Sequence, residues 1–180
     1  MEEVIERGFS RLVELINTKD QAIDAYNIEI REKDADLLLR MAAQMKHVIG
    51  KIGIQMLEKG KTDNQGEIFD PQYYDKRMIL LGKSSEPAPF RPDNMAKKVS
   101  DQFCTMSEDG KFYEIMYSSD GFIIDSCRCE ITPRQVIDLY SYEAIFMLYK
   151  AMQQYLENRE SLLTSLETAI SFINSGDQGL

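Results

Sequence analysis

Two segments at opposite ends of the chain share the same spacing of hydrophobic residues. The positions alternate by four and three, so each set lies along one side of a helix and repeats every seven residues. The first stripe contains Ile5, Phe9, Leu12, Ile16, Lys19, Ile23, Tyr26 and Ile30. The second contains Leu148, Met152, Tyr155, Arg159, Leu162, Leu166, Ala169 and Ile173. The pattern predicts long amphipathic helices near both ends, each stripe interrupted once by a cation.

The two stripes match best in antiparallel order. Reversing one stripe places Leu12 opposite Leu166, and the two cations, Lys19 and Arg159, then face each other. In parallel order each cation would face an apolar residue. The sequence therefore favours antiparallel packing of these helices within one chain, with pairing between two copies as the alternative. Further apolar residues widen both stripes, which also suits a multi-helix bundle: Leu15, Ile28, Leu163 and Phe172.

The hydrophobic register shifts by one residue after Ile30. Residues 31–36 are all charged except Ala35, and the next stripe contains Leu38, Met41, Met45, Val48 and Ile52. A polar cluster of this kind often marks a surface corner. The pattern favours a turn between two helices, 2–30 and 38–58, over one helix that absorbs the shift. Gly60 suits a helix C-cap, so that residues 2–60 form a helical segment.

Residues 61–100 differ from the helical segment that precedes them. A polar loop opens the region, and a short apolar run at 77–81 predicts one strand. Three prolines follow, at positions 87, 89 and 92. Proline lacks a backbone donor and disfavours helix, so the region is expected to be an irregular loop with an extended Pro-rich stretch.

Residues 101–131 give the clearest strand pattern. Three β-prone runs, 102–106, 111–117 and 122–127, are joined by connectors that both end in Asp-Gly. This dipeptide tolerates the positive φ of a tight hairpin turn. An antiparallel three-stranded meander is therefore predicted, with the 77–81 run as a possible fourth strand.

The strongest helix start in the chain follows the meander. Thr132 is predicted as the N-cap, Pro133 as the first helical residue and Gln135 as the third. A hydrophobic staple between Ile131 and Val136 supports this start. The heptad pattern continues the helix over 132–174. The predicted fold is α+β in a single domain, 1–180, with a small three- to four-stranded meander between packed N- and C-terminal helices.

Composition limits the classes of protein that this chain can belong to. It has 180 residues, 43% of them hydrophobic, and a net charge of −9. An acidic chain without a basic stripe is not expected to bind nucleic acid. No apolar run is long enough to span a bilayer, and the acidic start is unlike a secretory signal. Three cysteines, an odd number, suit a reducing compartment. A cytoplasmic location is therefore expected.

Cys127-Arg128-Cys129 is the sharpest chemical feature of the sequence. On a strand, both sulfurs would point to one face. With Cys104 and the sole histidine, His47, they could complete a four-ligand metal site, or the pair could exchange thiols. The spacing is not that of a zinc finger, and no Cys-x-x-Cys exists. The three cysteines are weak metal candidates, and small half-buried strand residues are the simpler interpretation.

No catalytic or cofactor-binding motif appears, so no catalytic residue and no cofactor are predicted. Aromatic residues cluster between positions 73 and 149, where they form a core or line a small-molecule pocket between sheet and helices. The leading hypothesis is a non-enzymatic interaction or adaptor protein that forms a homodimer through its heptad-patterned helices. A small-molecule sensor or binding protein is the alternative.

Overall fold

A closed barrel of five antiparallel strands lies at the centre of the protein. The structure is a computed structural model that describes residues 2–84, 97–120 and 122–176. In chain order the elements are α1 (Glu2–Ile52), β1 (Ile54–Thr62), β2 (Ile68–Lys83), β3 (Asp101–Ser107), β4 (Phe112–Asp120), β5 (Ile123–Ile131), α2 (Pro133–Tyr140) and α3 (Glu143–Gly176). Each strand pairs with the next, and β1 pairs with β5 to close the barrel.

Helix α1 is continuous through the charged segment 31–36, so the predicted turn there is wrong. Charged side chains of this segment form ion pairs along α1 and with the neighbouring helix α2. Lys33 donates to Glu29 one turn earlier at 2.6 Å, and Arg31 donates to Asp138 of α2 at 3.0 Å. One residue of register shift rotates a stripe by about 100° around a helix. The shift therefore marks a change in what α1 faces, and does not mark a break.

The second half of α1 ends earlier than the predicted 38–58 helix. Gly53 follows Ile52, and a Cβ at Gly53 would lie 2.6 Å from the carbonyl oxygen of Ile49 and 3.1 Å from the backbone nitrogen of Met78. Only glycine allows this close approach between the helix end and β2. The predicted C-cap, Gly60, lies instead inside β1, so the prediction of helix over 54–58 is wrong.

The predicted fold class is wrong because β1 was missed and β2 was predicted only in part, as the 77–81 run. β1 occupies part of the predicted helix, and the 16-residue β2 extends the 77–81 run back to Ile68, through part of the predicted loop. The 77–81 run does pair with β3, as expected of a fourth strand. Residues Ile54 and Gln55 of β1 pair with Met78 and Arg77 of β2, while Lys59–Lys61 pair with residues 123–125 of β5. The result is three helices and a closed five-stranded barrel. The Pro-rich stretch at 87–92 lies outside the described residues.

The three strands of the predicted meander are present, although they form part of a closed sheet. β3, β4 and β5 pair in the expected antiparallel order, for example Cys104 with Glu114 and Glu114 with Cys129. Gly110 in the first hairpin has a φ of 84°. This is the positive φ that was predicted for the Asp-Gly connector.

The helix start at Thr132 is confirmed, but the predicted 132–174 helix is two helices. The Thr132 hydroxyl accepts the Gln135 N–H, and the Gln135 side chain accepts the Thr132 N–H, forming a capping box with Pro133 at the first turn. α2 ends at Tyr140, where Ser141 adopts a φ of 56°. This left-handed backbone stops the helix, and α3 begins two residues later.

Two hydrophobic clusters hold the described part of the chain together. One lies inside the barrel and contains Tyr74, Met78, Tyr113 and Ile115. The other lies between the barrel and the helices, where α1 contributes Leu38, Ala42, Met45 and Ile49, and α2 and α3 contribute Val136, Ile137, Tyr140, Ala144, Ile145 and Leu148. The second half of α1 and the first half of α3 thus share one core.

Helices α1 and α3 run in the same direction where they meet. Leu37 and Met41 of α1 line one groove with Tyr142 and Ile145 of α3. Further along both helices, Ile52 lines a second cleft with residues 151–158 of α3. The remaining parts, residues 2–34 of α1 (the N-terminal arm) and residues 153–176 of α3 (the C-terminal arm), therefore extend toward opposite ends. The predicted antiparallel packing within one chain is wrong for this reason.

Candidate functional site

The N-terminal arm exposes its entire hydrophobic stripe. The apolar members of the stripe have between 55% and 68% of their surface accessible: Ile5, Phe9, Leu12, Ile16, Ile23, Tyr26 and Ile30. Monomeric soluble proteins seldom expose so many large apolar side chains in one contiguous patch. The stripe extends over the 26 residues from Ile5 to Ile30, or roughly 37 Å at a rise of ~1.5 Å per residue.

The C-terminal arm is exposed in the same way. Leu162, Leu166 and Ile173 of its stripe are 48–67% accessible, while Leu148 at the other end is fully buried in the core. A second exposed line runs beside this stripe at seven-residue spacing and contains Tyr142, Tyr149, Leu156, Leu163 and Ile170. α3 therefore presents an apolar face that is wider than a single heptad seam.

An apolar groove of about 350 Å³ lies where the N-terminal arm leaves the core, beside the first turns of α3. It is lined by Leu37, Met41, Tyr142, Ile145, Phe146 and Tyr149. Tyr142 and Tyr149 belong to the second exposed line of α3, so the groove and the C-terminal arm form one continuous apolar surface. Continuity of this kind is typical of an interface.

A buried polar cluster joins α2 to the barrel. The Tyr140 hydroxyl donates to the Glu114 carboxylate at 3.0 Å, and the Gln102 amide donates both to that carboxylate and to the Tyr140 oxygen. All three side chains are at least 92% buried. Burial raises the pKa of the Tyr140 hydroxyl, and the nearby Glu114 carboxylate adds to the rise. The cluster satisfies its own hydrogen bonds, which suits a structural role.

The cysteines predicted as candidate ligands lie near this cluster. Cys104 and Cys129 flank Glu114 on neighbouring strands, and the sulfurs of Cys127 and Cys129 are 3.9 Å apart. Burial raises the pKa of the Cys104 thiol, and burial followed by Cys127 raises the pKa of Cys129. A raised pKa keeps a thiol protonated, which opposes both nucleophilic attack and metal binding.

His47 lies on the exposed side of α1, whereas Cys104 is buried against α2. Among residues 2–84, 97–120 and 122–176, no group of three or more His, Cys, Asp or Glu side chains is placed to hold a metal ion. The four-ligand site considered from the sequence is therefore not assembled in this part of the chain.

The aromatic residues expected to line one pocket are divided among separate places. Tyr74 and Tyr113 lie inside the barrel, Phe112 and Tyr140 belong to the helix-facing core, and Tyr149 is exposed on α3. The cleft between α1 and the start of α2, of about 460 Å³, includes only one ring, that of Phe112. Small-molecule binding by an aromatic pocket stays a prediction.

Arg128 has a structural role that the sequence did not reveal. Its guanidinium lies 4.6 Å from the ring centre of Tyr74 and 5.2 Å from that of Tyr113, and it donates to Asp75 at 3.1 Å. Cation–π contacts of this kind stabilise a partly exposed arginine. The sequence offered one indication of this role. Side chains alternate along a strand, so Arg128 lies on the face opposite the thiols of Cys127 and Cys129.

Comparison with known proteins yields no relative for this chain. No protein-family model matches it, and neither the curated proteins nor the solved structures include a significant match. Within the described residues, no helix is both long enough and apolar enough to cross a membrane. The class defined by the fold is an α+β protein that carries two exposed helical arms on a five-stranded barrel.

Proposed function

We propose that the protein is a non-enzymatic interaction protein that self-associates through its two helical arms. The observation that carries this proposal is the exposure of both heptad stripes along arms that extend away from a well-packed core. An apolar stripe that repeats every seven residues is the pattern by which one helix packs against another. Within the part of the chain that the structure describes, no helix covers either arm, because the arms extend in opposite directions.

The energetics also favour a partner for the arms. Each Å² of apolar surface removed from water contributes about 25 cal/mol. A standard protein interface buries about 1,600 Å² in total, and obligate dimers bury more. Two arms per chain, each with a stripe of large apolar side chains, provide surface on this scale. The polar side of the N-terminal arm stays solvated, with ion pairs along the helix such as Arg7 with Glu3 at 3.8 Å.

Light scattering on the wild-type protein and on a charged variant tests the proposal. The variant carries Leu12→Glu and Leu166→Glu, one substitution in each exposed stripe. We expect a wild-type mass of two chains or a larger multiple at micromolar concentration, and a shift of the variant toward the mass of one chain. Burying a carboxylate without a partner in the seam would cost several kcal/mol, which is the reason for the shift.

A matched control adds the same two charges away from the stripes. Asn17 and Ser161 are exposed on the two arms outside the heptad positions, and Asn17→Glu with Ser161→Glu should leave the mass unchanged. Near-ultraviolet circular dichroism of the tyrosines would show that the barrel stays folded in both variants. A wild-type protein with the mass of one chain at every concentration would contradict the proposal.

A further inference from the structure

We infer that two copies of this chain exchange arms, so that the N-terminal arm of each copy packs antiparallel on the C-terminal arm of the other. This inference rests on the proposed function and specifies its partner, register and symmetry. The occupant of each exposed stripe is then a second copy of this chain.

The register follows from the two stripes. In antiparallel order each stripe residue from Ile5 to Lys19 meets one exposed residue of the second stripe, from Ile5 with Ile173 to Lys19 with Arg159. The rest of the second stripe packs on its own core, so the remaining residues of the first stripe would lie on the exposed line of α3 beside it. Positions of the a type then face positions of the d type throughout, as antiparallel helices require. Lys19 meets Arg159, and their long stems can cover the seam while the charges reach water. Asp20, Glu157 and Glu160 lie within one turn of this paired position.

Pairing of like arms in antiparallel order fits less well. Full overlap of two N-terminal arms places Lys19 opposite Ile16 of the other copy, and full overlap of two C-terminal arms places Arg159 opposite Ala169. Each seam would then contain two cations that face apolar residues. A cation held against an apolar neighbour loses hydration without gaining a partner, so the exchanged pairing is favoured.

Pairing of like arms in parallel order matches the cations but covers one arm only. A dimer joined through its N-terminal arms leaves both C-terminal stripes in water, and the reverse pairing leaves the N-terminal stripes there. Reciprocal exchange about a two-fold axis covers all four stripes in one closed dimer, the commonest symmetry of oligomers.

The charges of the two arms also disfavour pairing of N-terminal arms with each other. Residues 2–34 contain nine acidic and five basic residues, whereas residues 153–176 contain three acidic residues and one basic residue. Pairing of two N-terminal arms sets the more acidic arm against itself. Exchange sets it against the less acidic arm, which reduces repulsion along the seam.

The geometry of one chain allows this arrangement. Leu37 and Met41 lie level with Tyr142 and Ile145, so the register that joins Ile16 to Leu162 of the other copy places the two-fold axis beside the same apolar groove. The partner's α1 would then pass along the exposed line of Tyr149, Leu156 and Leu163. This explains why α3 is apolar beyond a single heptad seam.

Cross-linking of two different variants tests the exchange. In a background with Cys104→Ala, Cys127→Ser and Cys129→Ser, one chain carries Leu12→Cys and another carries Leu166→Cys. The two are mixed, left to exchange subunits and treated with a short bis-maleimide. We expect a covalent dimer in the mixture, up to about half of the protein as random mixing allows, and none when either variant is treated alone.

A control and a wild-type experiment complete the test. Ser10→Cys replaces Leu12→Cys in the control and lies off the stripe, so its mixture with Leu166→Cys should give no covalent dimer. In the unmodified chain, carbodiimide should join Lys19 to Glu157 or Glu160. Mixing nitrogen-14 and nitrogen-15 protein identifies such a link as one between chains, which keeps the inference testable should the cysteine-free background not fold.

The outcomes separate the inference from the proposed function. Covalent dimers from either single variant alone would show pairing of like arms and overturn the exchange. A dimer in light scattering that yields neither the maleimide nor the carbodiimide product would also overturn the exchange, while leaving self-association in place. A mass of one chain in light scattering would remove both.

Discussion

Tyr140 illustrates how one side chain ties a helix to the barrel. It is the last residue of α2, its ring contacts the position where Gly82 lacks a side chain, and its hydroxyl reaches the buried Glu114. A Cβ at Gly82 would lie 3.2 Å from the Tyr140 ring, so glycine allows the close approach. The ring fills space, and the hydroxyl shares with the Gln102 amide the task of donating hydrogen bonds to the buried carboxylate.

Replacing Tyr140 by phenylalanine should lower the free energy of unfolding by about 1–3 kcal/mol, since Glu114 loses a buried donor while the ring is kept. Urea denaturation followed by circular dichroism measures the change. Tyr73→Phe is the matched control because Tyr73 is 51% exposed on the barrel strand β2, and its effect should stay within about 0.5 kcal/mol. Equal stabilities of the two variants would show that the hydroxyl of Tyr140 is not needed.

The lowered pKa of Asp109, at the β3–β4 turn, makes the stability of the protein depend on pH. Burial alone raises the pKa of its carboxyl, but Lys76, Ser107 and the Lys111 N–H all donate to it and lower the pKa to about 2. The Lys76 nitrogen lies 2.6 Å from the carboxylate. An unfolded aspartate has a pKa of about 3.9. The stabilisation is therefore complete above about pH 4 and is lost as the pH falls toward 2.

Asp109→Asn should flatten this part of the pH profile. We expect the free energy of unfolding to fall more steeply for the wild type than for the variant between about pH 4 and pH 2. Denaturant titrations at several pH values measure the two slopes. Lys76→Met, which removes the leading donor, should also reduce the slope. Parallel profiles for the wild type and Asp109→Asn would contradict the assignment of the low pKa.

At the scale of elements, α1 shows what a hydrophobic pattern can and cannot decide. The heptad stripe correctly predicted helix at both ends, and the N-cap Thr132 and the helix start at Pro133 were predicted to the residue. The register shift at 31–36 was wrongly taken to predict a turn. A hydrophobic pattern shows which side of a helix packs against something, but it does not show whether the partner changes along the same helix. Before residue 31 the stripe is exposed, and from Leu38 onward a different side of the same helix lies on the barrel.

A proline inside this segment should have a large effect because α1 is continuous there. Asp36→Pro removes one backbone hydrogen bond and places the ring against the carbonyl of Glu32, at a cost of about 3 kcal/mol or more. We expect trypsin to cleave the variant after Arg31 and Lys33 much faster than it cleaves the wild type. Glu3→Pro, in the first helical turn, should leave both sites protected. Rapid cleavage of the wild type at these positions would support a turn instead.

The strands before residue 101 show a second limit of sequence patterns. β1 has an irregular register with β2, with shifts between Gln55 and Leu57 and on to Lys61, and most of its residues are exposed. Such a strand lacks a regular alternation of buried and exposed residues. A tight turn does join it to β2, with Gly66 at a φ of 85°, but a polar turn alone does not identify the strand that precedes it. β3 to β5 were predictable because two Asp-Gly connectors separate regular β-prone runs. Closure of the barrel depends on pairing between β1 and β5, which are far apart in sequence.

The residues of the candidate interface were predictable from the sequence, whereas the chain that they pair with was not. Its residues, from Ile5 to Ile30 and from Leu162 to Ile173, follow directly from the heptad spacing. The stripe predicted that they pair, but not whether the pair belongs to one chain or two. Whether the stripes pair within one chain depends on two tertiary features. One is the break between α2 and α3 at Ser141, and the other is the parallel orientation of α1 and α3.

At the scale of the whole molecule, the barrel lies between two arms that point away from each other. The N-terminal arm extends roughly 50 Å and the C-terminal arm roughly 36 Å at ~1.5 Å per residue. In an exchanged dimer the two barrels lie near the centre, and a helical seam extends on each side. The barrel surfaces outside the seams stay free, so association through the arms does not compete with contacts made by the barrels.

The length of α1 beyond the barrel also links folding to concentration. A helix without tertiary contacts is only marginally stable in water, because nucleating it is costly and each further residue adds little. The first 30 residues of α1 gain their tertiary contacts from another molecule if the arms exchange. Dilution would then unwind the arms while leaving the barrel intact, and the amount of helix in each chain would be set by mass action.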